Sequence, residues 1–296
     1  MTITRVKQFY DFMIERELIR QRRASGLPQS LWTNDPIFKL FSFTNVKRHD
    51  DRTTIEFKRI YDQHQDASDR IKLLNCALYR FFGTVHSAKV MGWVEDWEHG
   101  RDHVYRLGPG LSFTAAYIVT SAGRSDAKYS VVCEFIDSLW SRIDKILEYH
   151  TWEGAIREMT ECYGFGSFMA KEVYLDFVLA TGRLPTDWST WTPVGPGGKR
   201  GAARVRYGIN TQIGESEALD VIREIYSVRD EHWPDEIAES DRLDPGQDLT
   251  YHLPKLDLTD VQFQLCEFDK YSRVAEGRRP KRLFHPTRDS ITERGA

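Results

Sequence analysis

The segment Tyr163-Gly164-Phe165-Gly166-Ser167-Phe168-Met169-Ala170-Lys171-Glu172 separates two helical patterns, one over Trp152 to Cys162 and one that starts at its own second glycine. A Gly-x-Gly turn that opens a helix lets main-chain N–H groups approach an anion with no Cβ in the way, and the helix N-terminus adds a favourable field. Outward from this turn, helical spacing dominates. Val6, Phe9, Phe12 and Met13, then Leu18 and Ile19, fall on one stripe; Ile71, Leu74, Leu78 and Phe81 fall on another; Val132, Phe135, Ile136, Leu139, Ile143 and Ile146 fall on a third. These are the three- and four-residue intervals of amphipathic helices. Strand-like alternation is scarce. Turn signals stand at Gly26-Leu27-Pro28, Gly108-Pro109-Gly110, Gly195-Pro196-Gly197-Gly198 and Asp244-Pro245-Gly246. The pattern predicts a mainly α fold: a helical unit over 1–213, an acidic insertion or loop over 214–250, and over 251–296 a C-terminal helix that packs on the main unit, followed by a basic tail.

The 296 residues are 41% hydrophobic and 29% charged, the balance of a folded globular protein rather than a disordered or fibrous one. The net charge of −3 conceals a segregation. Between Gly214 and Asp248 twelve acids face three bases, a charge of −9, which leaves 38 bases against 32 acids, or +6, over the rest. Bases are dense at 199–206 and 270–288, so a polyanionic ligand is permitted. The four cysteines, Cys76, Cys133, Cys162 and Cys266, have no CxxC spacing, and the histidines show no ligand spacing, so neither a metal nor an iron-sulfur site is expected. No apolar run approaches the roughly 18 residues of a membrane span, and no leader is evident at the N-terminus. The expectation is a soluble protein of a reducing compartment with no membrane partner.

A hydrophobic-Gly-x-Gly hairpin leading into a helix resembles the phosphate clamp of helix-hairpin-helix DNA glycosylases. Asp187 stands 21 residues past Gly166, near where that superfamily carries its catalytic Asp. On this resemblance Gly164, Gly166 and Ser167 hold the DNA backbone and Asp187 faces the same strand. Alternatively, Thr186-Asp187-Trp188-Ser189 reads as a helix start with Asp187 as its cap. Phe168 occupies the position of the Schiff-base lysine of bifunctional glycosylases, so lyase chemistry is not expected.

Three further blocks accompany the hairpin: Phe41-Ser-Phe-Thr-Asn45-Val-Lys-Arg48-His-Asp-Asp51-Arg52, Val194-Gly-Pro-Gly-Gly-Lys199-Arg200-Gly201, and Leu265-Cys266-Glu267-Phe268-Asp269-Lys270-Tyr271-Ser-Arg273. Together, in this order, they resemble the phage family of α-glutamyl/putrescinyl-thymine pyrophosphorylases, also described as amino acid:DNA transferases. They are similar too to the helical domain of 5-hydroxymethyluracil DNA kinases. The resemblance spans about Phe38 to Phe284. It implies a virus-encoded enzyme of thymine hypermodification, at work in the cytoplasm of the infected bacterial host. Its substrates would be double-stranded phage DNA carrying a modified thymine and a free amino acid, and other enzymes of the pathway would be its partners. A kinase phosphorylates 5-hydroxymethyluracil and the transferase displaces phosphate or pyrophosphate with the amino acid, glycine by preference and serine as the alternative. The chain has no G-x-x-x-x-G-K-[ST] run, which argues against its being the kinase. The phosphoester supplies the driving force, so no cofactor is expected.

Residue chemistry then nominates a site. A flipped base would be reachable for transfer. Lys199 and Arg200 suit a departing phosphate, or else DNA positioning or a solvated loop. Arg48 and Arg52 are a second basic pair, one helical turn apart if Asp50-Asp51 opens a helix, or a surface arrangement with Asp51 or Glu56. Asp187, then Glu267, could take a proton from the incoming nucleophile. Lys270 shares a helix face with Glu267, Asn45 presents a paired donor and acceptor to a uracil edge or ties a loop together, and Arg204 is a DNA contact. Cys266 is either a nucleophile toward uracil or a small buried apolar group. Trp188 and Trp191 either stack on a base or belong to the core.

Overall fold

A computed structural model describes residues 1–114, 119, 123–238 and 250–278. Its helices in chain order are α1 (Ile3–Ala24), α2 (Pro36–Leu40), α3 (Arg52–Asp62), α4 (Asp69–Phe82), α5 (Val85–Met91), α6 (Trp97–Leu107), α7 (Lys128–Leu147), α8 (Trp152–Thr160), α9 (Ser167–Thr181), α10 (Pro196–Tyr207), α11 (Glu215–Ser227), α12 (Arg229–His232) and α13 (Leu258–Ala275). Strands β1 (Glu236–Ala238) and β2 (Thr250–His252) pair antiparallel with Ile237 opposite Tyr251. The fold is mainly α. No described helix is long and apolar enough to cross a membrane.

The chain forms two compact units, one from Met1–Arg48 with the chain from Val194 onward, the other from His49–Pro193. This division differs from a break near residue 213. In the first unit α13 lies along α10 and α11, and α1 packs on both α10 and α13, so the N-terminal helix and the C-terminal part share one core. The acidic stretch is not simply a loop: its first part is α11, whose face of Ala218, Leu219, Val221, Ile222 and Ile225 is buried, which leaves the acids on the outer side. The stretch continues through α12 and β1, whereas its part 239–249 and the basic tail from 279 onward lie outside the described residues.

The second unit is built around α4 and α9, with α7 and α8 completing the layer. The α9 helix is apolar nearly all round, and its residues from Met169 to Val178 are buried, as expected of a helix surrounded by others. It buries three charged side chains, Lys171, Glu172 and Asp176, of which Asp176 is the deepest. Both oxygens of Asp176 accept from Arg80 of α4, Nε and Nη2 each at 2.5 Å, and Tyr61 of α3 donates its hydroxyl at 3.1 Å. Arg80 also reaches the Thr54 hydroxyl at 2.9 Å. Burial, reinforced by the Asp176 charge, pushes the Tyr61 phenol well up. Burial disfavours the Arg80 charge, but Asp176 outweighs it and holds the guanidinium ionised. This network clamps α9 to α3 and α4, and removing one partner would strand the other charge.

Candidate functional site

The hairpin belongs to the second unit. Phe165, between its two glycines, is a core residue whose ring meets Phe81 edge-on at 4.9 Å. Gly164 has φ +84, and a Cβ there would fall 2.1 Å from the Phe135 ring, so both conformation and space demand glycine. Gly166 is different. It is the N-cap of α9 with no side-chain cap, and a Cβ there would meet nothing within 4 Å. The turn is thus anchored by one glycine and left open at the other, at the positive end of a fifteen-residue helix dipole. Tyr163 and Phe168 flank the opening, 47% and 48% exposed; sequence reading gave Phe168 no contact role and passed over Tyr163.

Asp187 does not cap a following helix, because residues 187–191 make a single hydrogen-bonded turn. Its carboxylate instead accepts the Trp152 N–H at 2.5 Å and the Glu153 N–H at 2.9 Å, which places it at the N-terminus of α8. The hairpin follows the other end of that nine-residue helix, about 13 Å away along the axis. Trp188 stacks on the buried Trp152 at 4.9 Å and Trp191 meets it edge-on at 5.9 Å. Both tryptophans therefore contribute to packing around α8.

In the first unit, the 41–48 loop is stitched to α13. Thr44 N–H donates to Glu267 at 3.0 Å, Lys270 donates to the Ser42 carbonyl and, at 3.2 Å, to Glu267, and Gln264 donates to the Asn45 carbonyl at 2.8 Å. Glu267 and Lys270 do share a face, and the face grips the loop that carries Asn45 and Arg48. Lys47, which sequence reading passed over, is the deepest stitch: its ammonium reaches Asp257 at 2.9 Å and Asp260 at 2.6 Å in the capping box of α13. Burial pushes the Asp260 carboxyl up to about 6; Lys47 opposes this, and the neighbouring Asp257 adds to it. Burial disfavours the Lys47 charge too, but the two aspartates outweigh it. Arg48 sits in a 3-10 turn (Arg48–Asp50), whereas Arg52 opens α3, so these two do not share a helix as the one-turn spacing suggested.

The Gly-rich block is helical. It forms the first turns of α10, and its glycines admit α13: a Cβ on Gly197 would lie 2.2 Å from Cys266 Sγ, and one on Gly201 would lie 1.9 Å from the Leu265 carbonyl oxygen. Cys266 thus faces a helix contact. Lys199 and Arg200 diverge, as neighbours on a helix must. Lys199 lies 3.8 Å from Glu215 of α11, whereas Arg200 donates through Nε to Asp269 of α13 at 2.8 Å. Arg204 is only 5% exposed; it donates to Asp269 at 2.9 Å and to both oxygens of Glu276. That is a structural ion pair rather than a group offered to a DNA strand. Arg273, missed in sequence although it stands four residues after Asp269, completes the cluster at 3.3 Å from the same carboxylate.

The family described as 5-hmdU DNA kinase, helical domain, matches residues 4–279. A 5-hmdU DNA kinase of Bacillus phage SP10 is 27% identical over 319 residues, covering 95% of this chain and 48% of the relative. The chain thus spans about half the length of that relative. No solved structure matches. The hairpin, the 41–48 loop and the α10–α13 contact all fall inside the matched span, and the chain belongs to the family of 5-hmdU DNA kinase helical domains.

Proposed function

We propose that the chain acts in the modification of phage DNA at 5-hydroxymethyluracil, and that it transfers an amino acid, glycine or else serine, to the 5-methylene of the phosphorylated or pyrophosphorylated base. The observation that carries this reading is the match, over nearly the whole chain, to a family named for 5-hmdU DNA. The open end of α9 supports it, because a helix N-terminus with unobstructed backbone suits a DNA phosphate. In the proposed step the amine of glycine, or alternatively the hydroxyl of serine, attacks the methylene carbon, a new C–N or C–O bond forms, and the C–O bond to the phosphate breaks with its electron pair leaving on phosphate. The proton of the nucleophile passes to a carboxylate. Asp187 and Glu267 are the candidates, Asp187 first, and both already accept main-chain N–H groups that fix their orientation. Arg200, with Lys199 as second choice, is assigned to the departing phosphate. Gly164, Gly166 and Ser167 are assigned to the DNA strand, in a glycosylase-like use of the hairpin, and Asn45 to the edge of a flipped base.

A second reading is favoured by the family name, which describes one domain of a kinase: the chain binds the modified DNA while a separate activity phosphorylates it. Mass spectrometry of nucleosides, after phosphorylated 5-hydroxymethyluracil DNA is incubated with the protein and glycine or serine, separates these readings. An amino-acid adduct on the 5-methylene in place of the phosphate is expected, heavier than the dephosphorylated 5-hydroxymethyl nucleoside. Binding without product would support the binding domain, and abasic sites would instead mean N-glycosylase action.

A further inference from the structure

We infer that Arg200 and Arg273 form a phosphate-binding fork built on Asp269. Asp269 is fully buried and faces three guanidinium groups: Arg204 Nε at 2.9 Å on Oδ1, and Arg200 Nε at 2.8 Å and Arg273 Nε at 3.3 Å on Oδ2. The three differ in what remains available. Arg204 commits its terminal nitrogens to Glu276 and is buried. Arg200 and Arg273 touch Asp269 only through Nε, and among the described residues their terminal nitrogens have no protein partner. Their side chains are 39% and 38% exposed. The Arg273 Nε is itself buried and makes no hydrogen bond despite its closeness to Asp269.

Two cations held against one carboxylate oxygen repel each other, and the cluster of three arginines, Asp269 and Glu276 keeps a surplus positive charge. An anion with several oxygens relieves both. A planar guanidinium anchored at Nε presents its remaining donors as a rigid edge, the geometry that matches phosphate oxygens. The close approach of α10 to α13 at Gly197 and Gly201 is what lets arginines from two helices share a single carboxylate. The ligand class is a phosphate group, either a terminal phosphate such as the leaving group proposed above or a phosphodiester of the DNA backbone. The fork rests on the proposed DNA-modification reading only for which of these it receives.

The test measures binding, without turnover, on the full chain. Inorganic phosphate and an unmodified DNA duplex are titrated separately by calorimetry against the wild type, Arg200→Gln, Arg273→Gln, and Arg223→Gln on the exposed face of α11 as a control. Arg200→Lys and Arg273→Lys, which keep the charge but lose the planar edge, are compared should a Gln variant unfold. The expected result is at least a tenfold weaker association for the Arg200 and Arg273 variants and none for Arg223→Gln. Loss confined to phosphate identifies a terminal phosphate as the ligand, and loss confined to DNA identifies the backbone. Unchanged binding of both ligands by the Arg200 and Arg273 variants overturns the fork. Phosphate binding that depends on the fork, in a protein that gives no transfer product, would retain the site and reject the transferase reading.

Discussion

Gly164 and Gly166 are separated by one residue and do opposite work. Gly164→Ala has to place a Cβ against the Phe135 ring in a left-handed conformation, so a loss of about 2–4 kcal/mol is expected from strain and overpacking. Gly166→Ala meets open space and should cost under about 1 kcal/mol while obstructing backbone approach. Urea denaturation and DNA binding, measured on both variants, check the contrast: stability should fail in the first and DNA affinity in the second. Asp187 is a comparable case. As a cap on α8 it should be worth about 1–2 kcal/mol, seen as the fall in unfolding free energy of Asp187→Ala. Asp187→Asn retains an acceptor oxygen and should be less destabilised, yet should stop transfer with DNA binding intact; full turnover in that variant removes Asp187 as the base. That the hairpin was a turn before a helix could be read from Gly-x-Gly. That its first glycine is pinned by Phe135 could not, because the ring comes from a residue 29 positions earlier.

Among the elements, α13 holds both the 41–48 loop and the arginines of α10 through its polar side chains, and its start is sensitive to pH. The folded-state value of about 6 for Asp260 lies above the ordinary aspartate value of 3.8, so the folded protein holds a proton that the unfolded chain has released between those two limits. Stability from this group is therefore present at low pH and lost as pH rises through about 6, by on the order of 3 kcal/mol. Asp260→Asn should flatten that part of the profile, measured as the wild-type-minus-variant difference in unfolding free energy at pH 4.5 and at pH 7. A difference that does not change with pH would mean that Asp260 is ionised throughout. A C-terminal helix was expected from the sequence, as was the shared face of Glu267 and Lys270, three residues apart. The loop it grips was not, because Ser42, Thr44, Asn45 and Lys47 reach it across more than 200 residues.

For the whole molecule the net charge of −3 is a poor guide to partners. Arg200 and Arg273 keep exposed cationic edges, whereas α11 turns acids outward. DNA affinity should fall steeply with salt, as a negative slope of log K against log salt concentration; an affinity independent of salt would separate the charge segregation from DNA. Helical class, the hairpin and the amphipathic faces follow from local spacing, since each depends on residues three or four apart, and the sequence alone was enough for them. Tertiary packing alone decides the rest. It divides the chain at residues 48 and 193 rather than near 213, because α1 shares its core with α10 and α13. It also sends Lys199 and Arg200 to different helices and brings Arg273 to the carboxylate that Arg200 uses, since which charges meet depends on how closely two helices approach.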